Sequence, residues 1–329
     1  MGIFTRICSR QKQERAINPV QKVDAIPSFT LVVPTYNRPD LLALCLQGIV
    51  QLDYPKERFR VIIVDDGGSA DLSPSIAPFD DMLCIDLLRQ PNQGPASARN
   101  YGAKSAKSDF VAFIDDDCVP TQSWLRIISA HLTNIPDALV GGCVENALPH
   151  NPFSAVSQSI LSYIYQAEEV KGKESKGRQT QFLASSNIAL ALPPFNRVGG
   201  FNEEFPLAAG EDREFCDRWL AEGYSIQQAE KAKILHLHRM TLRSFWQQNA
   251  NYGRGAFYVH QQRRQGYAKS EERTVIAAAQ FYIGLLLHPL WLRESLQKRI
   301  LYTLLAILSQ AAVAFGFIQE IAQQREGNR

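Results

Sequence analysis

The chain is poor in the features that usually classify a protein quickly. Its six cysteines, Cys8, Cys45, Cys84, Cys118, Cys143 and Cys216, include no Cys-x-x-Cys pair, which argues against a zinc or dithiol centre and for reduced, mostly buried thiols in a cytosolic protein. Charge is nearly balanced, with 35 Lys and Arg against 33 Asp and Glu for a net +2, so no nucleic-acid partner is expected. Residues 1–24 are polar and basic and contain no apolar core of signal-peptide length. They begin Met-Gly, but Arg6 stands where a myristoylation signal has Ser or Thr. No Gly-x-x-x-x-Gly-Lys-Ser/Thr occurs, and no Gly-x-Gly-x-x-Gly follows the first strand, so neither a P-loop nor a dinucleotide fingerprint is available. Internal repeats and low-complexity tracts are also missing.

What the chain does have is ordinary globular bulk, 329 residues with 45% hydrophobic and 21% charged, and one conspicuous local feature. Phe110 to Ile114 has the β-branched and aromatic content of a buried strand, and it ends abruptly in Asp115, Asp116 and Asp117. Three adjacent carboxylates repel one another, whereas a hard divalent cation, Mg²⁺ or Mn²⁺, with a bound diphosphate turns that repulsion into coordination. A solvated acidic turn before the helix starting near Thr121 is the other reading.

From Phe29 to about Val144 strand-like and helix-like stretches alternate. Strands are expected at Phe29–Val33, Arg60–Val64, Leu83–Leu88, Phe110–Ile114 and Ala138–Val144; helices are expected at Pro39–Gln51, within Gly94–Ala106 and at Gln122–Leu132. The pattern predicts an α/β fold, a doubly wound, mostly parallel sheet flanked by helices that collects its loops along one edge. Those loops are polar: Pro34-Thr35-Tyr36-Asn37-Arg38-Pro39, Asp65-Asp66-Gly67-Gly68-Ser69 and Asn92-Gln93-Gly94-Pro95-Ala96-Ser97-Ala98-Arg99-Asn100. Each alone is a plausible structural turn.

Together and in this order, the three loops and Phe-Ile-Asp-Asp-Asp resemble family-2 glycosyltransferases with the GT-A fold, over about residues 28 to 240. The resemblance implies a nucleotide-sugar donor held by the first half. By its pattern Thr35 and Tyr36 line the nucleoside pocket, Asp66 accepts the base N–H, and Arg99 lies beside the nucleotide. Asp115 and Asp117 match the acids of an Asp-x-Asp motif that contact ribose and metal, with Asp116 in the variable middle place. Asp66 suits uracil first, with guanine or thymine also able to donate to it.

Further on, Gly210-Glu211-Asp212-Arg213 opens a stretch whose Phe215, Trp219 and Leu220 fall at helical spacing, which puts Glu211 and Asp212 at a helix start. An acidic first turn complements a helix dipole without any chemistry. The resemblance instead implies Asp212 as catalytic base, with Glu211 as its neighbour or acceptor contact, and an inverting displacement at the anomeric carbon. His236 and His238 alternate and share one face of an extended segment. A histidine here often completes the metal shell in similar proteins, which makes His238 the better metal candidate, with Arg239 near phosphate. Gln-x-x-Arg-Trp, the mark of processive synthases, is missing because Phe215 stands where Gln would be.

The tail is aromatic and basic from Met240 to about Arg264, including Asn251-Tyr252-Gly253-Arg254-Gly255, a feature similar proteins carry near the acceptor or diphosphate. A closing or interfacial helix is the equal alternative. Val275 to Leu292 and Ile300 to Ile318 then each lack Asp, Glu, Lys and Arg over nearly the ~20 residues that cross a bilayer. A two-span hairpin would carry Arg293, Lys298 and Arg299 outward, against the positive-inside rule. In-plane helices or a single span from Ile300 keep them by the cytosolic domain, and two buried helices of a soluble protein are the remaining choice.

The expected organisation is a tail over 1–24, a catalytic domain over 25–240 (nucleotide-sugar half 25–145, acceptor and base half 146–240), and a membrane-associated helical region over 241–329. The catalytic domain is expected at the inner face of the cell membrane, acting on a saccharide or lipid-linked acceptor. Two alternatives remain open. A sugar-phosphate nucleotidyltransferase would want a basic Gly-rich loop where Thr-Tyr-Asn-Arg-Pro stands, and a non-catalytic nucleotide-sugar binder would typically lack an acid at 115, 117, 211 or 212.

Overall fold

A computed structural model describes residues 26–169, 178–205, 208–264 and 275–327. The expected tail over 1–24 lies outside the described residues. The chain opens with β1 (Phe29–Thr35), α1 (Pro39–Val50), β2 (Phe59–Asp65), the short α2 (Ser73–Ile76), β3 (Ile85–Arg89), α3 (Pro95–Lys104) and β4 (Phe110–Ile114). Then come β5 (Cys118–Pro120), α4 (Trp124–Asn134), β6 (Leu139–Asn146), α5 (Pro152–Ala167), β7 (Arg178–Gln179), β8 (Asn187–Ala191) and α6 (Leu192–Val198). The chain continues through α7 (Glu211–Ala221), β9 (Ile226–His236), α8 (Leu242–Arg264), α9 (Val275–Leu287) and α10 (Leu296–Gly327).

All strands join one sheet in the order β3-β2-β1-β4-β8-β6-β9-β5, with β7 beside β9. The first four are mutually parallel, β8 enters antiparallel to β4, and β6 and β9 are parallel to each other. Parallel strands covered on both faces read as continuous apolar runs, and β1 and β4 are buried at every position. Side chains alternate across the sheet, so Leu31, Val33, Ala112 and Ile114 pack towards α1 and α4 while Val32, Val111 and Phe113 pack with α6 and α7. Trp124 and Trp219 anchor the two cores with no solvent exposure.

Helix boundaries follow local chemistry. Pro39 and Pro152 take first-turn positions, where a missing N–H costs nothing, and Asn151 caps α5 by accepting from Phe153 N and Ser154 N at 3.0 and 3.1 Å. Gly199, at φ 91°, ends α6 in the left-handed conformation. The expected Leu83–Leu88 strand begins two residues later, and the apolar stretch from Val275 breaks after Leu287, where Pro289 enters a 3₁₀ turn.

α10 packs alongside α8 without room for side chains between the backbones. A Cβ on Gly253 would lie 1.9 Å from Val313 O, and one on Gly316 would lie 1.9 Å from Ala250 O. Ser309 donates to Asn249 at 2.6 Å, and the buried Glu320 accepts from Arg254 at 2.6 Å and Tyr258 at 2.5 Å. Thus Gly253 and Arg254 of the Asn-Tyr-Gly-Arg-Gly stretch serve helix packing. The opposite face of α10 shows a stripe of apolar residues at helical spacing, Leu296, Ile300, Leu304, Ile307, Phe315 and Ile318, exposed between 49% and 67%.

Candidate active site

The loops that follow β1, β2 and β4 lie at one edge of the sheet because the strands are parallel and in register. Asn37, at φ 55°, accepts from Ser69 N and Ala70 N at 2.7 and 3.0 Å and ties the first loop to the second. Asp65 and Asp66 are buried at the end of β2. Asp65 accepts from Gly68 N and Arg89, and Asp66 accepts from Gln90 Nε2, Gln93 N and Gly94 N, all at 2.8–2.9 Å. Gly67, at φ 77°, makes this closure possible, since a Cβ there would sit 2.6 Å from Asn92 N. Three donors leave the Asp66 carboxylate about one of its four acceptor positions.

The three adjacent acids diverge. Asp115 accepts from Arg99 at 2.7 Å. Asp116 is buried and accepts from Thr35 Oγ1 at 2.8 Å and Arg38 at 3.2 Å; burial pushes its pKa up to about 6, with Arg38 opposing. Asp117 faces Arg38 and His236, each at 3.3 Å. Burial works against its charge, but the His236 hydrogen bond and the charges of His236 and Arg38 hold it well below the ordinary value. Tyr36 is half exposed on the rim of the same cleft.

His236 reaches Asp117 because the short β5 pairs antiparallel with β9, setting Cys118 opposite His236, while Leu237 N donates to Asp117 O at 2.8 Å. His238, the stronger candidate in the sequence, instead stacks on His236 with ring centroids 4.6 Å apart, and burial followed by the His236 charge lowers its pKa to about 4. Ligand atoms of Asp117, Cys118 and His236 lie within 4.8 Å of one another. Burial raises the Cys118 thiol well above its usual pKa, and a soft sulfur is a poor match for Mg²⁺ or Mn²⁺. What remains is a carboxylate and an imidazole, a mixed oxygen and nitrogen set that fits Mn²⁺ better than Mg²⁺, which demands oxygen.

Arg99 joins this edge to the start of α7. Nearly fully buried, it donates to Asp115 from one nitrogen and to Glu211 Oε1 at 3.2 Å from the other. Neighbouring Asn100, also buried, donates to Phe201 O and Glu203 and accepts from Phe201 N, so two consecutive residues of α3 staple the later segment onto the earlier one. Glu211 Oε2 has no partner among the described residues. Burial and the charge of Asp212 push the Glu211 carboxyl up to about 7 against the pull of Arg99. Asp212 accepts from Arg213 N at 2.8 Å and is likewise raised, chiefly by burial.

A single cleft of about 2680 Å³ contains Thr35, Tyr36, Asp66, Arg99, the three acids at 115–117, Glu211, Asp212, His236 and His238 along its walls. Arg38 also lines it, and the sequence offered no reason beyond its loop to single it out. Arg218 and Trp219 turn away into structure: Arg218 binds Glu214 and the carbonyls of Val198 and Gly200, and Trp219 is buried.

The sequence model of Glycosyl transferase family 2 matches residues 30–197, a stretch that ends before α7. Hyaluronan synthase of Pasteurella multocida is 31% identical over 225 residues, which is 59% of this chain and 23% of that protein. Pre-mycofactocin glycosyltransferase of Mycobacterium tuberculosis is 30% identical over 233 residues, 69% of this chain and 46% of that protein. The chain therefore spans less than two thirds of the length of the curated relatives it matches. Among solved structures, the mannosyltransferase PcManGT from Pyrobaculum calidifontis, in complex with GDP-Man and Mn²⁺, aligns with TM-score 0.64 at 16% identity, covering 94% of this chain and 91% of its own. S. aureus TarS 1–349 aligns with TM-score 0.53 at 17% identity, covering 91% and 92%.

Proposed function

This chain belongs to glycosyl transferase family 2 and has the GT-A fold, and from that premise we propose that it transfers a sugar from a nucleoside diphosphate donor to an acceptor hydroxyl with inversion. The observation that carries the proposal is the Arg99 bridge, which ties Asp115 on the donor edge to Glu211 beside Asp212 within one cleft. Asp212, its pKa raised by burial, takes the proton of the attacking hydroxyl; the hydroxyl oxygen bonds to the anomeric carbon as the bond to the diphosphate breaks. Attack opposite the leaving group inverts the configuration. Arg38 pairs with Asp116 and Asp117 but is more than half exposed, so it is the cation within reach of the departing diphosphate, whereas Arg99 is buried between Asp115 and Glu211. Asp117 and His236 would hold Mn²⁺, which supplies positive charge for the diphosphate when bound. Missing Gln-x-x-Arg-Trp favours a single transfer over processive synthesis.

Uracil is the favoured base. The one acceptor position left on Asp66 matches the lone N3–H of uracil, whereas guanine presents an N–H and an adjacent amino group that want two. TarS has been solved with UDP and UDP-GlcNAc, and PcManGT with GDP-Man.

Membrane attachment in the plane of the inner leaflet completes the reading. α10 is long and apolar enough to cross a bilayer, but its packed face is joined to Asn249, Arg254 and Tyr258 of α8, and a spanning α10 would draw those polar groups into hydrocarbon. Lying flat, the exposed stripe meets lipid along ~34 Å. The free thiols of Cys45, Cys84, Cys118 and Cys216 support the cytoplasmic side.

The test is thermal unfolding with a panel of nucleotide sugars and Mn²⁺. A ligand at 100 times its Kd stabilises the fold by about 2.7 kcal/mol. One donor, a UDP-sugar, should protect wild type and Asp212→Asn alike and fail to protect Asp117→Ala. Protection indifferent to Mn²⁺ and to position 117 defeats the metal assignment, and no protection by any donor defeats the proposal.

A further inference from the structure

The cleft is too large for the donor alone. Ligand pockets for single small molecules run to roughly 1,000 Å³, and this one holds about 2680 Å³. Its lining is also of two kinds. Tyr252 feels the charge of Asp212 and accepts from Gln248 at 2.8 Å, and the same helix adds Gln247 with Asn251 at 3.0 Å to the lining. α5, α9 and α10 contribute an apolar part of the wall: Ile160, Phe281, Leu285, Val313, Phe317 and Ile318. This lobe opens onto the exposed face, because Ile318, 65% exposed, and Tyr282, 54% exposed, line the cleft and also stand on the surface. Ile318 closes the apolar stripe of α10, so a chain leaving the lobe there passes onto an apolar surface and not into water. A freely soluble saccharide would gain nothing from such a path.

Building on the glycosyltransferase reading above, we propose that the acceptor is an amphiphile: a polar, hydroxyl-bearing head beside Asp212, and an apolar chain laid through the outer lobe towards the membrane face. The polar part of the cleft recognises the head, and the lobe recognises the tail by removing it from water. Each buried methylene of such a tail contributes about 0.8 kcal/mol, a factor of about four in affinity.

The experiment uses the full chain with UDP-sugar and Mn²⁺ present and a series of n-alkyl β-glucosides, from butyl to decyl, kept below their micelle concentrations, with glucose as the tailless control. Dissociation constants are read by calorimetry. Affinity should strengthen about fourfold per added methylene until the lobe is filled. Tyr282→Glu, at an exposed position in the lobe, should flatten that dependence; Leu304→Glu, on the stripe but away from the cleft, should preserve it while reducing sedimentation with anionic vesicles. An affinity independent of chain length, or an equal loss in both variants, overturns the proposal. So does self-association in solution that is abolished by Tyr282→Glu, since the lobe would then be an interface between copies. Donor protection read on the same preparations keeps the cases apart: if it is present while chain dependence is missing, only the amphiphile fails, and if it is missing the transferase reading fails first.

Discussion

The donor edge and the start of α7 satisfy their carboxylates differently. At the donor edge Asp65, Asp66 and Asp116 are buried, and each accepts at least two hydrogen bonds from loops or side chains of the same half. At the start of α7 Glu211 keeps one oxygen without a hydrogen-bond partner among the described residues, and both acids are pushed towards their protonated forms, as Asp116 is in spite of its two hydrogen bonds. Satisfied acids build a rigid frame, because each hydrogen bond to a buried charge is costly to break. An acid left short of donors is poised to take a proton, at a cost in stability. The difference separates holding a donor from acting on an acceptor, and Arg99 is where the two regimes meet.

The largest expected effect breaks the comparison on its chemical side. Asp212→Asn keeps an oxygen for Arg213 N and the same volume, but cannot take a proton. Transfer should fall by ~10²- to 10⁴-fold with donor affinity unchanged, measured as kcat beside donor Kd. Loss of both together would mean that Asp212 belongs to the donor frame.

Next comes the junction itself. Arg99→Met fills similar space and leaves Asp115 and Glu211 facing each other without their shared cation. Removing one partner of a buried pair costs about 3–5 kcal/mol, and denaturant unfolding should show a loss in that range, eased at acid pH where Glu211 is protonated. A loss under 1 kcal/mol would mean that the two regions are held together mainly by Asn100.

These contrasts also separate what the sequence could tell from what it could not. β1, β2 and β4 are readable because each is an apolar run ending in polar residues, and a parallel sheet then gathers those ends on one edge. β5 is three residues long and carries no pattern, yet its pairing with β9 decides that His236 and not His238 meets Asp117. Period-2 reasoning put both imidazoles on one face and could go no further, since register is a long-range property. The Arg99–Glu211 contact spans 112 residues and left no local trace beyond the two motifs. Gly253 lies in a stretch expected either near the acceptor or diphosphate or in a closing or interfacial helix, and it sits mid-helix, where α8 and α10 touch backbone to backbone. The break at Pro289 falls inside Val275–Leu292, whose lack of Asp, Glu, Lys and Arg reads as one continuous stretch.

The smallest expected effect sharpens the comparison through pH. Glu211 keeps its proton in the fold up to about 7, against an ordinary value of 4.5. Between those values the folded protein binds a proton that the unfolded chain has released, so this group's contribution to stability falls as pH rises through the window and levels off above it. The value of about 7 already includes Asp212 pressing the same way and Arg99 pressing against it, and the span from 4.5 corresponds to at most about 3 kcal/mol. Glu211→Gln cannot ionise, so its stability relative to wild type should improve by up to that amount between pH 4.5 and pH 7.5, measured by urea unfolding at both. An unchanged difference would show Glu211 ionised throughout, a fully paired partner of Arg99 no different in kind from the acids of the donor edge, and the boundary between frame and chemistry would then fall between Glu211 and Asp212.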